Sequence, residues 1–189
     1  MDNYRFLLLN SLSGSFMQKG FKVLKRMFIG GDEVETNVLF YKIRKGTVST
    51  EDYVNWSHSL LERSVTSPSI PILSSFTSND NIFEVEVYFN RAIIELGIKE
   101  PIFEVCARAY IGLLADRIIQ VNDHKEIFDL TNMIFQIVAM ELDYPDELYT
   151  WFELNEMIDR LDYDYAARDF NEDDVILRIK NEAEIFLKS

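Results

Sequence analysis

Three features of the sequence predict an all-α fold, an irregular bundle of about six to eight helices forming a single domain over 1–189. Apolar side chains recur at helical spacing along most of the chain. Helix start signals punctuate it at short intervals. Only 7 Gly and 4 Pro interrupt its 189 residues, whereas an all-β fold needs a turn residue every ten or so positions. The 48% hydrophobic share and the 13% aromatic share suffice to fill a core and are too rich for a disordered chain.

The elements follow in order. Lys19, Lys22, Lys25 and Arg26 interleave with Phe16, Phe21, Leu24 and Phe28, which predicts a basic amphipathic helix over 16–28. Gly30-Gly31 reads as a helix stop and turn. Asp32-Glu33 follows it where a phosphate loop would carry Lys-Ser or Lys-Thr. The run Val38 to Ile43 fits a small extended segment near 38–43 as well as it fits a buried helical turn, because periodicity does not separate the two. Ser49-Thr50-Glu51-Asp52 is a capping-box-like start for a helix to about Arg63, with Tyr53, Trp56, Leu60 and Leu61 on one face. Pro68 and Pro71 predict an extended stretch.

Asn81 to Glu84 opens a helix through Phe89, Ile93, Ile94 and Leu96, and Gly97 stops it. Pro101 suits the first position of the next helix, which carries Val105, Tyr110, Leu113, Leu114 and Ile118 to about Gln120. Asp123 starts a helix with Ile127, Leu130, Ile134, Ile137 and Val138 on one stripe. Pro145 opens one to about Leu161. Asn171 to Asp174 opens the last, with Val175, Ile176, Ile179, Ala183 and Phe186. The segments Ala92–Ile98 and Val138–Tyr144 resemble each other at a separation of 46 residues, each shortly before a proline. That spacing suits a repeat-like arrangement of helical hairpins.

Charge is uneven. Residues 1–50 hold eight Lys/Arg and four Asp/Glu, a mildly basic N-terminal part; residues 51–189 hold eleven against twenty-eight, an acidic helical body. The net charge of −13 repels phosphate backbones, so a nucleic-acid partner is not expected, and basic proteins would be steered toward the surface. The apolar run Phe6–Leu9 is too short for a signal peptide, and no stretch approaches the ~20 apolar residues of a membrane span. A cytoplasmic protein without membrane contact is the expectation.

Few residues are suited to catalysis. The single cysteine, Cys106, lies in an apolar run and is expected to be buried. His58 and His124 are 66 residues apart, and neither has a second ligand at metal spacing. Ser11, Ser13 and Ser15 read as turn residues, with no nucleophile elbow around them. Asp159, Asp162 and Asp164 precede Asp169, Glu172, Asp173 and Asp174, but Ala166 and Ala167 stand where a calcium loop would continue toward its glycine. The expectation is a protein that is not an enzyme and has no cofactor, metal or catalytic residue.

A different pattern points to binding. Tyr144, Tyr149, Trp151, Phe152, Tyr163 and Tyr165 alternate with Asp143, Asp146, Glu147, Glu153, Asp162 and Asp164. Aromatic side chains anchor protein interfaces, and carboxylates steer and pair with Arg and Lys on a partner. All of these except Phe152 form the expected partner-binding surface. In size, acidity, capped helices and the run Glu141-Leu142-Asp143-Tyr144-Pro145-Asp146-Glu147-Leu148, the whole chain resembles the small acidic helical immunity proteins that bacteria encode beside secreted or contact-delivered toxins. That resemblance implies an inhibitor whose acidic surface binds a basic toxin, often a nuclease, and occludes its active site. A helical scaffold or adaptor in a larger assembly, and an enzyme built on carboxylates or a metal, are the alternatives.

Overall fold

The computed structural model describes residues 31–163 and 169–189, with side-chain surroundings for 33–161 and 169–189. The predicted basic helix over 16–28, the serines at 11–15 and Gly30 lie outside the described residues. Eight α-helices and no strand are found among the described residues, so the all-α class is observed. None of these helices is long and apolar enough to cross a membrane. The chain divides between Glu100 and Pro101 into two compact units. Charge follows that boundary. The first hundred residues hold 11 Lys/Arg and 12 Asp/Glu, and residues 101–189 hold 8 and 20, so the net charges are −1 and −12.

The first unit contains α1 (Gly31–Lys45), α2 (Thr50–Glu62), α3 (Ile70–Leu73) and α4 (Ile82–Leu96). The run 38–43 lies inside α1 and is not extended. Thr36, Asn37, Phe40 and Tyr41 are buried together, the i, i+1, i+4, i+5 stripe of a helix and not the alternation of a strand. Lys42, Arg44 and Lys45 in the last turn complement the helix dipole. Gly46, at φ 65°, ends the helix as the Gly46 and Thr47 N–H groups donate to the carbonyls of Ile43 and Lys42. Pro71 sits in the first turn of α3 instead of extending the chain, since a proline at that position removes no helical hydrogen bond.

The expected capping box of α2 is present. The Ser49 hydroxyl accepts from the Asp52 N–H, and the Asp52 carboxylate accepts from the Ser49 N–H at 2.9 Å. Lys42 Nζ also donates to Asp52, at 2.6 Å. Burial opposes the Asp52 charge, but the hydrogen bonds from Lys42 and from the Ser49 N–H and hydroxyl outweigh it and hold the carboxyl below its usual range. A depressed folded-state value contributes stability above the ordinary carboxylate range, and that stability is lost as pH falls through the folded value. Asp52→Asn should therefore make unfolding of this unit less acid-sensitive below about pH 4, read from denaturation midpoints at several pH values. An unchanged pH profile would contradict the assignment.

The backbone motif that ends α1 at Gly46 also ends two further helices of this unit, with different residues. After α4, Gly97 at φ 66° and Ile98 donate to the carbonyls of Ile94 and Ile93. After α2, Ser64 at φ 62° and Val65 donate to those of Leu61 and Leu60. The left-handed conformation is easy for glycine and strained for serine. Gly97→Ala should cost about 1 kcal/mol and Ser64→Gly should gain up to about 1 kcal/mol in denaturant unfolding. Equal effects of the same sign would contradict this reading.

The second unit contains α5 (Phe103–Gln120), α6 (His124–Met140), a 3-10 turn (Asp146–Leu148), α7 (Tyr149–Tyr163) and α8 (Glu172–Lys188). Each helix packs on the next, and α8 returns to α5, closing a ring of four helices. Cys106, Ile111, Ile118, Ile134, Val138, Trp151, Val175 and Ile179 lie in its core. Asp123 and Asn171 cap α6 and α8 as expected. Pro101 precedes α5 by two residues, and the 3-10 turn intervenes between Pro145 and α7.

Candidate functional site

The site lies where α6 ends and α7 begins. After Met140 the chain turns through two consecutive left-handed residues, Asp143 at φ 57° and Tyr144 at φ 53°. Neither is glycine, so packing around the turn must hold them there. Asp143 occupies the position that corresponds to Gly97 in the 46-residue spacing, and both adopt the left-handed conformation. The turn sets Tyr144 against the first turns of α7.

Phe152, half-buried on α7, is the hub. Its ring centroid lies 5.2 Å from that of Tyr149, 5.9 Å from that of Tyr144 and 6.0 Å from that of Phe135 on α6. The Tyr144 ring meets it nearly edge-on, at 79°, and the Tyr149 ring is tilted by 34°. Such ring pairs add about 0.5–1.5 kcal/mol each beyond area burial, so the cluster is pre-ordered. Its outer members still face solvent, Tyr144 with 42% and Tyr149 with 46% of its surface exposed.

Carboxylates neighbour the ring residues along the chain. Asp143, Asp146, Glu153 and Glu156 are exposed. Glu147 is exposed too but is already paired with Arg108 of α5, which also holds Glu104 at 2.9 Å. Its own backbone N–H at the start of the 3-10 turn, followed by Arg108, keeps the Glu147 carboxyl below the usual range. Glu147 therefore contributes less free charge than its neighbours.

The sequence-predicted surface is brought together only in part. Asp143, Tyr144, Asp146, Glu147, Tyr149 and Glu153 gather at one end of α7. Trp151 does not belong with them: it is fully buried, and its indole N–H has no acceptor among the described residues. The reason is angular, since neighbouring helix positions are 100° apart and Trp151 faces the bundle when Phe152 faces outward. Asp162 and Tyr163 close α7 about 14 Å farther along its axis than Glu153, and their side chains lie outside the described residues. Asp164 and Tyr165 lie outside them altogether. Phe152 belongs to the alternating pattern but not to the expected binding residues, and Phe135 and Glu156 are the members that the pattern missed; the i, i+3 and i+4 positions around Phe152 identify Tyr149 and Glu156 directly.

Exposed His58 lies in the first unit, with Nε2 3.0 Å from the carbonyl oxygen of Ser74. His124, in the second, opens α6 with Nδ1 2.7 Å from Glu172 at the start of α8. Cys106 is buried, as expected. Among the described residues, no three His, Cys, Asp or Glu side chains converge as a metal site requires. No family model matches the chain, and neither a curated protein nor a solved structure shows significant similarity to it.

Proposed function

We propose that this chain is a non-enzymatic protein-binding module, an inhibitor of the immunity-protein kind that neutralises a basic partner through the surface at the start of α7. The observation that carries the reading is the pre-ordered ring cluster of Tyr144, Tyr149, Phe152 and Phe135, half-exposed and flanked along the chain by exposed carboxylates, in the unit that bears a net charge of −12. Rigid aromatic rings give contact area at low entropic cost, and the carboxylates select and orient a cationic surface. A basic enzyme covered in this way would lose access to its substrate.

The partner is sought by capture from source-cell extract, with the intact chain and with a variant in which Asp143, Asp146 and Glu153 become Asn, Asn and Gln and both tyrosines become Ala. A basic protein retained by the first and lost by the second, and inactive while bound, is the expected result. A partner retained equally by both would place the interface elsewhere. A partner that keeps full activity in the complex would favour the scaffold reading.

A further inference from the structure

Helix α4 has two apolar faces. At 100° per residue, Val85, Phe89, Ala92 and Leu96 share one side and are buried within the first unit. Phe83, Val87 and Ile94 fall within about 40° of one another on the opposite side. Phe83 is 73% and Ile94 79% exposed. Solvent-exposed apolar residues scattered singly need no explanation, but a line of three over three turns of one helix marks a contact surface.

The residues beside that line are self-complementary. Glu84 and Arg91 are seven positions apart and so lie on the same flank of the apolar line. Against an antiparallel copy of α4, aligned with Phe83 opposite Ile94 and Val87 opposite Asn90, each Glu84 comes next to Arg91 of the other chain. The ion pair forms twice under the two-fold axis. In a parallel pair the same flanks lie on opposite sides of the contact, so Glu84 and Arg91 would not meet. Asn90, beside the apolar line and opposite Val87 in this alignment, weakens the contact. The first unit, with a net charge of −1, also lacks the self-repulsion that the second would impose.

We infer that the outward face of α4 pairs with the same face of a second copy of this chain, antiparallel, with Phe83, Val87 and Ile94 at its centre and Glu84–Arg91 pairs at its edge. This homodimer uses none of the residues assigned to the partner-binding surface and stands or falls independently of that assignment. Sedimentation equilibrium of the full chain, from micromolar to millimolar concentration, is the test.

A monomer–dimer equilibrium is expected in which Phe83→Ser or Ile94→Ser weakens association roughly tenfold or more with unchanged helix content, because both side chains are exposed in the monomer. Glu84→Arg and Arg91→Glu should each weaken it, and the two together should recover most of the loss. A chain that remains monomeric throughout, or a dimer indifferent to Phe83 and Ile94, would overturn the proposal. A double swap no tighter than either single one would overturn the antiparallel register.

Discussion

Phe89→Ala should destabilise the first unit by roughly 3–5 kcal/mol, the range for removing a large buried aromatic side chain. The ring is the centre of that unit's core. Its centroid lies 4.9 Å from Tyr53, 5.1 Å from Trp56 and 5.9 Å from Phe40, so it ties α4 to both α1 and α2. Truncation would leave a cavity bounded by three rings that are themselves fixed. Trp56 cannot easily swing into the gap, because its indole N–H donates to the Thr36 hydroxyl at 2.9 Å in a buried hydrogen bond. The chain has 2 Trp, one in each unit. In a Trp151→Phe background the fluorescence of Trp56 reports the first unit alone. A loss below about 1 kcal/mol would mean that the aromatic cluster repacks and that Phe89 is not its keystone.

The second large effect is on association. Replacing Tyr144 and Tyr149 with alanine removes the two exposed anchors of the ring cluster, and each such truncation typically costs about 2 kcal/mol or more of binding, near thirtyfold. Reversing Asp143, Asp146 and Glu153 to lysine acts differently. On the proposed function it should slow association by about ten- to a thousandfold and leave dissociation less changed, because exposed carboxylates contribute mainly by steering. Glu147→Lys should do more to stability than to binding, since it breaks the pair with Arg108 and places two cations together. Surface plasmon resonance with the captured partner separates the two rates, and circular dichroism checks that the fold is retained. The tyrosine variants should act on dissociation and the charge variants on association.

The caps were legible because cap chemistry is local. Ser49 with Asp52, Asn81, Asp123, and Asn171 with Asp174 all open the helices that their positions indicate. The stop at Gly97 was legible for the same reason. Burial was less so. Leu61, Ile94, Val105 and Leu113 read as members of buried stripes and are exposed, because a helix with apolar residues on two sides has no unique inward face until its neighbours are known.

The run 38–43 was ambiguous because three or four consecutive apolar residues fit either period. The site shows both limits together. Acidic and aromatic composition placed it at the start of α7, yet alternation in sequence is not adjacency on a helix. The binding residues drawn from it therefore included Trp151, which is buried, and left out Phe152, which is in the pattern and holds the tyrosines in place. The left-handed turn at Asp143 and Tyr144 carries no glycine, and its only trace in the sequence is the alignment of Asp143 with Gly97 at the 46-residue spacing.

The proposed interface is tested most directly by the salt dependence of the association rate constant between this chain and the basic partner it captures. A surface that steers through the carboxylates at the start of α7 requires the rate to fall steeply as salt rises toward and beyond physiological strength. It also requires the slope to flatten when Asp143, Asp146 and Glu153 are neutralised together. A rate that ignores salt, or a slope unchanged in the neutralised variant, would contradict the assignment of that surface.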